Sequence, residues 1–122
     1  MGTSPSASPS GGESASLSEW EVITAGAHKA GKTTFTISNH GALPHELLVF
    51  KSPRDPAAYP TDAAGIIIEK GAGVDLVSDG DNIDPGGSQV REIDLVPGKY
   101  LFVCNIPGHF RQGMYSLVIV TP

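Results

Sequence analysis

Cysteine, histidine and methionine recur at even spacing near the end of the chain, as Cys104-x4-His109-x4-Met114 within VCNIPGHFRQGM. A thiolate, an imidazole and a thioether are soft donors, a set that suits copper and above all Cu(I). Cys104 ends the apolar stretch 99–104, and Met114 begins the next, 114–120. Pro107-Gly108 folds the loop between them, so the three side chains can converge on one point. A trigonal His2Cys site needs a second histidine. His45 supplies it, after Pro44 and at the head of the apolar stretch 45–51, whereas His28 and His40 lie in polar, turn-like sequence. Each residue alone has a plainer reading. A lone cysteine is a small core residue, a methionine beside Tyr115 is core filler, and a histidine in a Gly-Pro loop is solvated. Set together on strand, turn and strand, they point to one copper ion per chain.

Two other chemical motifs fail on their surroundings. Residues 26–33, GAHKAGKT, match the phosphate-cradling pattern G-x-x-x-x-G-K-[ST]. That pattern needs a helix after it to present its N-terminus to the phosphates. Here TTFTISN follows, which is strand-forming, so the match reads as the turn of a β-hairpin. The acidic run 79–84, DGDNID, lacks the alternating acidic positions and the twelfth-position Glu of a calcium loop, and reads as a surface turn.

The elements that must position the four residues are strands. Residues 19–24 alternate polar and apolar; 32–38 are rich in β-branched residues and put Phe35 and Ile37 on one face; 89–96 alternate again. With 45–51, 99–104 and 114–120, and Pro97-Gly98 as a tight turn, this spacing predicts a sandwich or barrel. Residues 52–60 hold three prolines and read as a loop, 62–70 as a weak helix that Gly65 and three isoleucines undermine, and 73–78 as a short strand. Gly 15 and Pro 10 in 122 residues fit a turn-rich, all-β domain with one hydrophobic core.

Residues 1–18 are Ser, Gly, Pro and Ala with little to bury, so they read as a flexible leader or tether, and 19–122 as the folded domain. A net charge of -5 argues against a nucleic-acid surface. No apolar run is long enough to span a bilayer, so a membrane would enter only through an anchor attached to that leader. The single cysteine excludes an internal disulfide.

The motifs resemble those of the cupredoxins, the blue-copper electron carriers, over about residues 19–120. Asn39-His-Gly-Ala-Leu-Pro-His45 resembles the first ligand region of that family, and CNIPGHFRQGM its closing ligand loop. The loop is similar to that of small bacterial cupredoxins reading CNIPGH or CNLPGH, and its spacing to that of rusticyanin and sulfocyanin. The resemblance implies a Greek-key β-sandwich of seven or eight strands. It implies a mononuclear type 1 copper site with His45 Nδ1, Cys104 Sγ and His109 Nδ1 as strong ligands and Met114 Sδ as a weak axial one. A non-enzymatic, monomeric carrier of single electrons follows, outside the cytoplasm, with a fairly high potential. Transient redox partners would dock near His109 against a rim of Leu43, Pro44, Ile106, Pro107 and Phe110. Copper storage or delivery without electron transfer is the alternative, zinc is a competitor for the site, and a metal-free adhesion-type sandwich is the plain reading.

Two departures stand out. Azurin and plastocyanin carry Asn directly after the first histidine, where this chain has Glu46. Glu46 is expected to accept a hydrogen bond from the backbone near Asn105 and so to tune the metal. Residues 52–88 form an insert relative to plastocyanin, to which the resemblance gives no task.

Overall fold

Alternation decides the first layer. In β4 (Gly31–Asn39), Thr33, Phe35, Ile37 and Asn39 are buried while Lys32, Thr34 and Thr36 face solvent. Strand β7 (Ser88–Leu95) pairs antiparallel with it and buries Ile93 and Leu95. Strand β1 (Gly12–Ser18) runs parallel along the other edge of β4, and β2 (Glu21–Ile23) folds back on β1. The layer thus has the order β2-β1-β4-β7. The computed structural model describes residues 12–51, 59–67 and 75–122.

The second layer contains β3 (Ala27–Lys29), β5 (Leu48–Lys51), β6 (Leu76–Ser78), β8 (Gly98–Val103) and β9 (Tyr115–Thr121), in the order β3-β9-β8-β5-β6. Between the layers lies the main core, with Leu17, Phe35, Ile37, Val49, Ile93 and Phe102 all fully or almost fully buried. Phe35 and Phe102 meet edge to face, ring centroids 5.6 Å apart. Each such side chain contributes about 1.5–3 kcal/mol by leaving water.

Strands β5 and β8 do not alternate because both of their faces are covered. On the outer face, Leu48, Phe50, Leu101 and Val103 form a second cluster with Tyr59, Ile67 and Phe110. The continuous apolar run at 45–51 therefore encodes two buried faces. The short β7–β8 connection is braced by Tyr100, whose hydroxyl donates to Val96 O at 2.6 Å and accepts from Val96 N at 3.0 Å.

The architecture is the β-sandwich the sequence implied, with nine strands among the described residues where seven or eight were expected. The domain boundary moves. Residues 12–18 are a strand, not leader, with Ala15 and Leu17 buried between serines. Their small residues conceal a regular alternation, and β4 supplies the hydrogen-bonding edge that orders them. Residues 1–11 lie outside the described residues. The hairpin expected at 26–33 is instead a passage between layers, since β3 pairs with β9 and β4 pairs with β1 and β7. Gly31, at φ 128, makes that change of direction. Lys32 lies on a strand with no helix after it, so no phosphate cradle forms. Residues 59–67 form turns closed by a Thr61–Ile67 bridge rather than a helix, and the rest of the 62–70 expectation lies outside the described residues. The strand expected at 73–78 is described only as β6, and the loop expected at 52–60 only from Tyr59.

Candidate metal centre

The loop from Cys104 to Met114 is closed on itself by main-chain bonds. Cys104 N donates to Met114 O at 3.1 Å, His109 N to Ile106 O at 2.9 Å, and Met114 N to His109 O at 3.2 Å. Phe110–Gln112 form a single 3-10 turn, ended by Gly113 in the left-handed region at φ 92. Gly108 also sits there, at φ 81. Two positions that only glycine adopts without strain thus set how Cys104, His109 and Met114 face one another.

His45 comes from the opposite end of the site. Its main chain pairs with Ile83 in both directions, at 3.2 and 2.7 Å. Asn39 shapes the turn before it, donating through Nδ2 to Leu43 O at 2.9 Å and Ile83 O at 2.8 Å, and accepting from Gly41 N at 2.8 Å.

Three of the four residues singled out in the sequence come together through side-chain donor atoms. His45 Nδ1 and His109 Nδ1 are 3.3 Å apart, and Cys104 Sγ lies 3.8 Å from the first and 3.4 Å from the second. Met114 is fully buried in the same core cluster as Cys104. A first-row ion about 2.0 Å from each nitrogen and about 2.3 Å from sulfur needs donor separations of about 3.3–3.7 Å, for angles between tetrahedral and trigonal. Two sides of the observed triangle fall in that range, and the third, at 3.8 Å, lies just above it. Burial pushes the Cys104 thiol up, against the amides of Glu46 and Ile106, which stabilise the thiolate. Burial lowers the His109 pKa, with the neighbouring His45 imidazole acting in the same direction and Glu19 opposing it. Both effects favour an uncharged pocket until a cation enters, and a cation stabilises the thiolate.

Glu46 reaches the site through its main chain: its amide donates to Cys104 Sγ at 3.5 Å. The Asn105 side chain is turned toward Ile67. Its Oδ1 accepts from Ile67 N at 2.7 Å and its Nδ2 donates to Ile67 O at 3.1 Å. Gly108 N donates to Ala64 O at 3.1 Å and Arg111 Nη2 to Asp62 O at 3.3 Å. Part of the insert is therefore a brace for the ligand loop.

Sequence reasoning missed Glu19 and Trp20, in the turn between β1 and β2. Glu19 Oε2 lies 2.7 Å from His45 Nε2. The same carboxylate accepts from the amides of Ala42 and Leu43. Its pKa is drawn down to about 2, chiefly by the Ala42 amide, with His45 and Leu43 helping against desolvation. Trp20 packs edge-on against His109, ring centroids 4.9 Å apart. Nothing in the local sequence marks either residue. The other histidines stay apart from the site. His28 is buried against Phe35 and Phe102, rather than in a polar turn, and His40 is exposed.

Comparison with known proteins agrees with this geometry. A family model described as "Sulfocyanin (SoxE) domain" matches residues 15–122. The comparison with curated proteins finds no match. Among solved structures, dithionite-reduced auracyanin from Roseiflexus castenholzii is 22% identical, covering 93% of this chain and 98% of its own, at a TM-score of 0.69. Auracyanin A from Chloroflexus aurantiacus, a "blue" copper protein, is 16% identical, covering 91% and 100%, at 0.61. Rusticyanin from Thiobacillus ferrooxidans is 17% identical, covering 90% and 76%, at 0.60. The structures share the fold, the family model spans most of the chain, and the buried donors suit copper: the chain belongs to the sulfocyanin family of cupredoxins.

Proposed function

We propose that His45, Cys104 and His109 hold one copper ion, with Met114 as a weak axial ligand, and that the chain carries single electrons between redox partners. The observation that carries this reading is the buried triangle of two imidazole Nδ1 atoms and one cysteine sulfur. Bound copper would supply one chemical ability, cycling between Cu(II) and Cu(I). The protein's part is to keep the donors still. His45 is held by its main-chain pairing with Ile83, Cys104 and Met114 by their mutual clasp, and His109 by the turn that follows it. Donors that do not move make the exchange of one electron cheap in reorganisation. The residues that would hold copper are all buried, which supports a carrier rather than an enzyme.

His109 is the ligand nearest the surface, at 8% exposure, against 0% for His45, Cys104 and Met114. Trp20 (36%), which packs against His109, is exposed, as are Leu43 (42%), Pro44 and Pro107 in the segments that carry the two histidines. These four form the docking rim for a transient partner. Phe110, first expected in that rim, is buried against Tyr115 and belongs to the outer core instead. Leu43→Asp is expected to slow electron exchange with a partner about tenfold at an unchanged potential, measured by stopped-flow; an unchanged rate would remove this face.

A location outside the cytoplasm is part of the same proposal. Among the described residues no helix is long and apolar enough to cross a membrane.

The test is to add Cu(II), record the visible spectrum, and cycle the sample by voltammetry. An intense thiolate-to-copper band and a reversible one-electron wave with copper retained are expected. A protein that surrenders Cu(I) readily to an acceptor while exchanging electrons slowly would be a storage or delivery protein. A sample that takes zinc and stays colourless with copper would refute the reading.

A further inference from the structure

The Glu19 carboxylate is the most elaborately held charge near the site. It comes from the turn between β1 and β2, yet it lies against three groups of the first ligand segment. Ala42 N donates to it at 2.9 and 3.1 Å and Leu43 N at 3.0 Å, and His45 Nε2 lies 2.7 Å away. The surroundings are shaped to admit it, since a Cβ on Gly41 would fall directly on the carboxyl group. The partner of His45 at this position is therefore a side-chain carboxyl group rather than a main-chain carbonyl or water.

We propose that Glu19 is a positioning residue for the ligand His45, fixing its proton on Nε2, turning bare Nδ1 toward Cys104 and His109, and biasing bound copper toward Cu(II). This rests on the copper reading given above. A neutral imidazole carries one proton, and the hydrogen bond at one nitrogen decides which nitrogen is left to bind a metal. A carboxylate partner fixes both tautomer and ring orientation and makes the ligand a stronger donor. A stronger donor and a nearby negative charge both stabilise the more highly charged oxidation state. Glu19 thus opposes the push toward Cu(I) from the thioether of Met114. The same residue ties the ligand's orientation to the 41–43 turn, so ligand and docking rim share one anchor.

The competing explanation is that Glu19 only holds the 41–43 turn closed. Glu19→Gln separates the two, because the amide oxygen can still accept from a main-chain donor while the charge is gone. The first measurement is the reduction potential of the copper-loaded wild type and Glu19→Gln by voltammetry. At a fixed applied potential the Cu(I)/Cu(II) ratio of the variant is expected to rise about tenfold, equivalent to about 59 mV for one electron. The second needs no copper: long-range proton–nitrogen spectra of the metal-free protein. Wild-type His45 should show a single Nε2–H tautomer and Glu19→Ala a mixture. A Glu19→Gln potential equal to the wild type's overturns the proposal, and so does a Glu19→Ala protein that keeps the pure Nε2–H form. A wild type without a thiolate-to-copper band would remove the copper reading, and the metal-free tautomer would then decide the Glu19 contact by itself.

Discussion

Cys104→Ser is expected to abolish the intense thiolate-to-copper band completely while leaving the sandwich folded. The band needs a sulfur orbital close in energy to the metal's, and a serine oxygen is too hard to supply one. The substitution itself is small. Cys104 is fully buried, and the Glu46 amide that now points at Sγ can donate to a hydroxyl instead. A buried hydroxyl that keeps one partner costs on the order of 1 kcal/mol, well within what a domain of this size withstands. His45 and His109 remain and can still attract Cu(II) weakly, so residual pale binding is compatible with the reading. The affinity loss should exceed the roughly 10–100-fold that removal of an outer partner produces, because a strong ligand is lost. Visible spectroscopy on wild type and variant at equal copper checks this. An intense band that survives in Cys104→Ser would mean that some other group colours the metal, and the site assignment would fail.

The sandwich and the closed loop of the candidate site were legible in the sequence, while several strand pairings that link them were not, for a physical reason. Cys104, His109 and Met114 lie within one loop, so their spacing and the Pro107-Gly108 turn already constrain how they meet. His45 is distant, but it heads an apolar strand, and a strand end is a place from which a side chain can reach a neighbouring loop. Glu19 has no such local mark. Its contact with His45 spans 26 residues and depends on β1 lying beside β4, a pairing that the small residues of β1 conceal. The Ser/Ala composition of 12–18 is poor in bulk hydrophobicity and reads as a tether, yet Ala15 and Leu17 alternate with serines as a half-buried strand requires. His28 is the opposite case. Its neighbours in sequence are polar, and only the stacking of β3 over Phe35 and Phe102 makes its position apolar.

The insert acquires a task through the same kind of long-range contact. Asn105→Ala is expected to destabilise the protein by about 3 kcal/mol and to weaken copper binding about tenfold. Asn105 is buried, and its amide satisfies both the N–H and the C=O of Ile67, which is itself fully buried. Truncation leaves two main-chain groups with no side-chain partner, and each such group costs about 1–3 kcal/mol. The outer cluster feels the change too, since Ile67 packs there with Phe50, Leu101 and Phe110. Ligand geometry should survive in part, because the Cys104–Met114 clasp and the His109 turn lie within the loop itself. The thiolate-to-copper band should therefore persist while affinity falls. Asn105→Asp sharpens the test: one carboxylate oxygen can replace Oδ1, but the other would face Ile67 O with no proton to give, so this isosteric change should be at least as damaging as alanine. Denaturant midpoints at unchanged slope would report the stability loss, and competition with a copper chelator the affinity. If Asn105→Ala cost less than about 1 kcal/mol, the Asn105–Ile67 pair would not be a brace, and the 59–67 segment would act on the ligand loop through apolar cover alone.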